Sequence, residues 1–192
     1  MSTNVEIEAK ILVTAPEFRK LFNFLGVNPR NAIRQVNYYI DTPTSELRGF
    51  GFGLRIRERL GEYTLTLKSP LAEGTLEKNQ TLTEDDYLAL ADSGLFPTGP
   101  VHDFLALLGF PIKDLRIVTS LTTYRLETTY QNRHLALDRN EYSRQEDYEV
   151  ESEQSAISLA AETLKNLCRE AKIEYRPNNI SKHARALKAL AN

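Results

Sequence analysis

The chain has 192 residues, 41% of them hydrophobic, with 24 Lys plus Arg against 26 Asp plus Glu. That length supports one sizeable core, and the near balance of charge excludes the global basic field that drives nonspecific nucleic-acid binding, so phosphate recognition has to be local. A single cysteine excludes an intrachain disulfide and a Cys-rich zinc site, no basic leader followed by an apolar run opens the chain, and no stretch approaches the ~18 apolar residues of a membrane helix. A cytoplasmic protein with one domain over residues 1–192 is the expectation.

Residues 5–13 alternate Val5, Ile7, Ala9, Ile11 and Val13 with Glu6, Glu8 and Lys10, the period of a strand with one apolar and one charged face. Residues 14–25 open with the Thr-x-x-Glu spacing of a capping box (Thr14, Glu17) and stop at Gly26, so they form a helix. Strands follow at 33–41, 53–60, 62–69 and 75–82, joined by short turns such as Gly61-Glu62 that favour antiparallel neighbours. A helix over 83–93 stops at Gly94, and 100–108 carries Val101, Phe104, Leu105 and Leu108 along one stripe. Three more strands, 115–127, 130–138 and 147–153, precede a long helix at 155–173, whose apolar stripe includes Cys168, and a last helix at about 180–191. Cys168 is read as core.

The charged faces have an unusual composition: Glu6, Glu8, Lys10; Gln35, Asn37, Tyr39, Asp41; Arg55, Arg57; Thr64, Thr66, Lys68; Glu77; Arg125; Asp138; Glu149, Glu151, Glu153. Residues i and i+2 of a strand lie roughly 6.5–7 Å apart on one face, so Glu6 with Glu8, Arg55 with Arg57, and Glu149 with Glu151 each set like charges side by side. One arrangement is a two-sheet structure with a wet charged face. The other turns the apolar faces outward under the helices and the charged faces inward, in a closed barrel without edges. Such an interior requires a ligand: carboxylates for a divalent metal that also binds phosphate oxygens, and Arg and Lys for the phosphate itself. Alternation alone leaves both open.

The ordered set of motifs is more specific. Glu6-Ile7-Glu8-Ala9-Lys10 resembles the Glu-x-Glu-x-Lys signature of the CYTH superfamily, the triphosphate tunnel metalloenzymes. Gln35-Val36-Asn37-Tyr38-Tyr39-Ile40-Asp41-Thr42, Leu54-Arg55-Ile56-Arg57-Glu58, Thr66-Leu67-Lys68, Glu77, Arg125, Leu137-Asp138, Glu149-Val150-Glu151-Ser152-Glu153 and Ser181-Lys182 follow in that family's order. The resemblance implies a β-dominated α+β fold: a closed eight-stranded antiparallel β-tunnel with a charged interior and helices packed outside. It implies Glu6, Glu8, Asp138, Glu149 and Glu151 as metal ligands for Mg2+ or Mn2+, and Lys10, Arg55, Arg57, Lys68, Arg125 and Lys182 as the triphosphate clamp. The sequence departs from the pattern at Thr123, where many relatives carry a second basic residue two positions before Arg125, and at Asn79, which leaves the strand after Glu77 less charged.

The implied chemistry is attack of water on the terminal phosphorus of a small-molecule triphosphate, inorganic or organic, such as thiamine triphosphate, with Arg and Lys neutralising the leaving diphosphate. Glu6, Glu8, Lys68 and Tyr39 are the candidates for catalytic roles, although a tyrosine so placed is more often a packed aromatic with a hydrogen-bonded hydroxyl. A class IV-type adenylate cyclase would use the same clamp toward the α-phosphate, and a non-catalytic sensor would need the basic set more than the acidic one. Asp41 reads either as an inward group or as the start of an Asp turn, and Glu153 as an inward group or an exposed strand end. Arg185 and Lys188 read as surface. The 155–173 helix should cover the outside of the sheet, and a homodimer would cover any apolar surface left bare.

Overall fold

A computed structural model describes residues 2–190. Its described residues form nine strands and six α-helices: β1 (Ser2–Glu6), β2 (Glu8–Val13), α1 (Ala15–Leu25), β3 (Ile33–Asp41), α2 (Glu46–Gly49), β4 (Gly53–Arg59), β5 (Glu62–Pro70), β6 (Thr75–Leu82), α3 (Glu84–Ser93), α4 (Pro100–Leu107), β7 (Arg116–Tyr130), β8 (Arg133–Tyr142), β9 (Gln145–Glu153), α5 (Ile157–Ala171) and α6 (Lys182–Leu190). The strand order is β1-β6-β5-β4-β3-β7-β8-β9-β2, and the ladders along β3–β6 and along β7–β8–β9–β2 are antiparallel.

The β-dominated α+β class is as expected, but the closed eight-stranded tunnel is not. The order is linear, with nine members, because the strand expected over 5–13 breaks at Ile7 into β1 and β2, which stand at its two ends. The outer edge of β2 is moreover already occupied. The Leu12 amide donates to the Arg176 carbonyl at 3.1 Å and the Asn178 amide to the Lys10 carbonyl at 2.9 Å, with Pro177 bridged to Ile11 between them. Pro177 stands at a non-hydrogen-bonded position of this short ladder, where a missing N–H costs nothing. Backbone groups committed to residues 176–178 cannot also accept a closing strand.

The chain divides into two compact units. The first comprises the residues up to Val5 and Gln35–Leu121, the second Glu6–Arg34 and the chain from Thr122 onward. In the first, Leu54, Ile56, Leu65 and Leu67 project from one face of β4 and β5 and pack with Leu90 of α3 and with Val101 and Leu105 of α4. In the second, Ile11, Val13, Leu135, Leu137 and Val150 pack with Phe18 and Leu21 of α1 and with Leu164, Leu167 and Cys168 of α5. Helices therefore cover the apolar faces, as the sequence pattern requires, and α5 keeps Glu162, Lys165 and Arg169 exposed. Removing one of these leucines to alanine costs about 2–5 kcal/mol by cavity formation.

Local chemistry fixes the registers. α1 starts with the Thr14–Glu17 capping box and ends at Gly26 with φ 66°, and α3 repeats the device with Thr83, Asp86 and Gly94. The hairpins turn through residue pairs with positive φ, Leu60-Gly61, Gln131-Asn132 and Ser143-Arg144, whose twist matches that of the strands they join. Asp41 resolves as a turn-former: its buried carboxylate accepts the amides of Thr42, Leu47 and Arg48 at 2.8, 2.9 and 3.2 Å and so holds α2 against β3. Glu153 resolves as an exposed strand end.

Candidate functional site

In the second unit the two hairpin turns determine which charges meet. With Gln131-Asn132 and Ser143-Arg144 as turns, Arg125 stands opposite Asp138 and Asp138 opposite Glu149, while β2 sets Lys10 opposite Glu151. A slip of one residue would send every one of these side chains to the apolar face. Facing carboxylates on adjacent strands repel, and this pair is wholly buried. The register therefore persists only because cations enter.

One oxygen each from Asp138, Glu149 and Glu151 lies within 4.8 Å of the others, all three residues being buried. Lys182 Nζ sits among them, 2.9 Å from Asp138 Oδ2 and 2.5 Å from both Glu149 Oε1 and Glu151 Oε1. Its ammonium donates to Glu149 Oε1 and Glu151 Oε1 and is ion-paired with Asp138. Arg125 braces the other side, its Nε 2.8 Å from Asp138 Oδ1 and its Nη2 2.5 Å from Asp138 Oδ2, with a further short contact from Nη2 to Glu151 Oε2. Lys10 contacts Glu8 and lies 3.8 Å from Glu151. Glu6, the last residue of β1, and Glu8 are half-buried and stand outside the trio.

These contacts set the proton affinities. Burial pushes Glu149 above the usual carboxylate range, against the opposing field of Lys182. Burial would do the same to Glu151, but Lys182, Arg125 and Lys10 together outweigh it and hold that carboxyl well below its ordinary value. Burial works against the ammonium of Lys182, yet Asp138, Glu151 and Glu149 raise it well above the usual lysine range. In such a network each charge is compensated only while its partners stay in place.

Lys182 reaches the trio because of how α6 begins. Residues 176–178 are tied to β2, the Asn178 side chain donates to Glu149 Oε2 at 3.0 Å and to the Ile180 carbonyl at 3.0 Å, and Ser181 Oγ caps the Ala184 amide at 3.1 Å. A lysine at a helix N-terminus opposes the helix dipole; here the three carboxylates outweigh it.

In the first unit the face opposite the core carries a cross-strand row. Tyr39 pairs with Arg55, Arg55 with Thr66 and Thr66 with Asn79; Asn37 pairs with Arg57; Lys68 pairs with Glu77. Arg57 Nε donates to Asn37 Oδ1 at 3.2 Å, and Lys68 Nζ lies 2.9 Å from Glu77 Oε1. Burial disfavours the Glu77 carboxylate, but Lys68 and Arg55 outweigh it and lower its affinity for protons. Arg55 Nε is buried with no acceptor. Asn79 accepts from Thr66 at 2.7 Å and donates to Asn4 at 3.1 Å. Tyr39 is buried, with 4% of its surface exposed.

Three residues outside the sequence-based set belong to the second unit's network. Arg185, read as surface, has a side chain only 10% exposed, with Nε 2.8 Å from Asp147 Oδ2 and Nη1 2.7 Å from Glu149 Oε2. Asp147 and Asn178 are the others. Two signals pointed to them. Arg185 follows Lys182 by three positions on one helical face, and Asp147 precedes Glu149 by two on one strand face. Thr123 stands in place of a second basic residue, and its hydroxyl, 2.8 Å from Asn140 Oδ1, supports the amide that in turn donates to Asp147 at 2.9 Å.

A β-dominated fold that gathers buried carboxylates and cations in this way defines a charged-ligand domain of the CYTH type. The CYTH domain matches residues 4–186, and the chain belongs to that family. It is 37% identical over 153 residues to "Putative triphosphatase YjbK" of Bacillus subtilis (strain 168), covering 80% of this chain and 79% of that protein. A Bacillus halodurans crystal structure described as a "putative adenylate cyclase" matches with TM-score 0.88 at 34% identity, over 96% of this chain and 98% of that one. A Hippeastrum protein, described as a "putative adenylyl cyclase" with a dominant triphosphatase activity, matches with TM-score 0.77 at 20% identity over 95% of each chain, a likeness of fold alone.

Proposed function

We propose that this protein hydrolyses the terminal phosphoanhydride of a small-molecule triphosphate with the help of a divalent cation. The observation that carries the reading is the buried trio of Asp138, Glu149 and Glu151, three carboxylate oxygens within 4.8 Å of one another around the Lys182 ammonium. The relative called a triphosphatase, 37% identical, supports it.

The donor set fits a hard cation: all oxygen, three carboxylates, no sulfur or imidazole. Mg2+ or Mn2+ held by Asp138, Glu149 and Glu151, with Glu6 and Glu8 as further acidic candidates, would supply charge neutralisation at phosphate oxygens. The remaining work falls to the chain itself. Lys182, hydrogen-bonded to Glu149 and Glu151 and ion-paired with Asp138, gives up carboxylate contacts to serve phosphate, so substrate binding moves this ammonium from carboxylate to phosphate oxygen. Arg125 and Lys10 beside the trio bind phosphate oxygens and stabilise the charge that accumulates on the departing diphosphate; Arg55, Arg57 and Lys68 are the further cations that the family resemblance assigns to phosphate. Glu77 orients the Lys68 ammonium. Tyr39, Lys68, Glu6 and Glu8 are the groups that could relay the proton of the attacking water.

The adenylate cyclase reading is favoured by one observation, the name carried by the 34% identical Bacillus halodurans structure. One assay separates the two. The protein is incubated with inorganic triphosphate, thiamine triphosphate and ATP, with Mg2+ or Mn2+, and the products are identified. Orthophosphate release that is lost in Glu151→Gln and Arg57→Ala supports the hydrolase. Diphosphate with cyclic nucleotide from ATP would establish the cyclase, and binding of triphosphate without turnover would reduce the protein to a sensor.

A further inference from the structure

Four carboxylates line the cluster along β8 and β9, yet they are not equivalent. Asp147 has both oxygens engaged: Oδ1 accepts from Asn140 Nδ2 at 2.9 Å and from Arg185 Nη2 at 3.4 Å, and Oδ2 from the Tyr142 hydroxyl at 2.5 Å and Arg185 Nε at 2.8 Å. It has no lone pair left for a cation and serves to anchor Arg185. That guanidinium then reaches Glu149, where Oε2 accepts from Arg185 Nη1 at 2.7 Å and from Asn178 Nδ2 at 3.0 Å. Only Glu149 Oε1 is turned toward the centre of the trio. Glu151 is divided in the same way, Arg125 holding Oε2 while Oε1 faces Lys182, whereas Asp138 has both oxygens on Arg125.

We propose that Arg185 is a positioning residue that confines Glu149 to a single ligand oxygen and thereby makes the trio select a small octahedral cation over Ca2+. The inference rests on the cation-binding reading given above. Mg2+ requires near-octahedral geometry with short single-oxygen bonds, whereas Ca2+ accepts six to eight ligands and takes carboxylates through both oxygens. A Glu149 whose second oxygen is held by two donors cannot chelate. Release of that oxygen gives Ca2+ the bidentate mode it now lacks, while the helix that carries Arg185 stays in place through the buried Ala186 and Ala189.

The test is Mn2+ binding to the metal-free protein, followed by the loss of the free-ion electron paramagnetic resonance signal, with Mg2+ and Ca2+ as competitors. Wild type should bind Mn2+ and lose it to Mg2+ at lower concentration than to Ca2+. In Arg185→Met that preference should shift toward Ca2+ by about 10- to 100-fold, the usual effect of losing an outer partner of a ligand. Arg185→Lys keeps the charge but cannot span Asp147 and Glu149, so it should shift similarly; full restoration by lysine would assign the effect to charge and overturn the inference. Asn178→Ala, which leaves the Arg185 ion pairs intact, should shift the preference in the same direction by less and covers the case in which Arg185→Met does not fold. An unchanged preference in both positions, with wild type binding normally, overturns the role of Arg185 and leaves the function standing. If wild type takes up no Mn2+, the function itself fails and the inference with it.

Discussion

The two units handle charge in opposite ways. The first lays Arg55, Arg57 and Lys68 along one face, with Lys68 ion-paired to Glu77 and Arg57 donating to Asn37. The second brings Lys10, Arg125, Lys182 and Arg185 into contact with Glu8, Asp138, Asp147, Glu149 and Glu151, most of them nearly inaccessible to water. In the first unit, Lys68 and Arg57 stay partly open to water and can be changed at less expense to folding. The charges of the second have been taken out of water, and removing one partner strands the others. Function and stability should therefore separate in the first unit and coincide in the second.

The largest effect expected is on Asp138, which is fully buried and pairs with both Arg125 and Lys182. Asp138→Ala should lower stability by about 3–5 kcal/mol in urea denaturation, whereas Glu77→Gln, which keeps an oxygen for the partly exposed Lys68, should cost less; equal losses would erase the contrast. Next, Arg57→Ala should reduce triphosphate hydrolysis by about 10²–10³-fold while the urea midpoint stays close to that of wild type, and a collapse of the fold would show that this cation too is structural. Lys182→Met should bind Mn2+ without substrate about tenfold more tightly, since an ammonium that occupies the ligand oxygens reduces the competent fraction, and titration calorimetry reads this directly. Weaker binding would mean that the lysine builds the site instead of competing for it.

The smallest effect concerns acid. Arg176 lies 2.7 Å from Glu17 and is the main reason that the Glu17 carboxyl is lowered to about 2. A lowered carboxylate contributes stability that is fully present above its unfolded value of about 4.3 and is lost as the pH falls toward its folded value. Arg176→Met should move the acid-unfolding midpoint upward within that window, followed by circular dichroism, and should leave stability near neutral pH changed only slightly because the pair is partly exposed.

Strand alternation and helix caps were legible in the sequence because they are local. Thr14 with Glu17 announces a helix start in any context, Gly26 and Gly94 mark helix stops, and the charged rows of β4, β5 and β9 follow from a period of two. Ile7 was not legible as a break, since nothing in Val5-Glu6-Ile7-Glu8 interrupts the alternation; what splits it is the pairing of β2 with β9 on one side and residues 176–178 on the other. Arg185 was misread for a related reason. A guanidinium on an amphipathic helix belongs at the surface unless a distant strand supplies carboxylates, and here Asp147 and Glu149 supply them. Asp41 sat in a row of inward-looking polar groups yet serves α2, because three nearby amides lacked acceptors.

The tie of Arg176 and Asn178 to α1 and β2 also orders events during synthesis. Glu17 and Arg176 meet across 159 positions, and the ladder on β2 spans a similar separation. Contacts so remote form late in folding. A nascent chain released only as far as β9 already carries Asp138, Asp147, Glu149 and Glu151, but neither Lys182 nor Arg185 has yet emerged. Until Lys182 and Arg185 emerge, Arg125 and Lys10 are the cations at hand for those carboxylates. Translation thus supplies the counter-charges of the second unit in two deliveries, and a polypeptide stopped just after β9 would hold all nine described strands but only half of the cations that neutralise its centre.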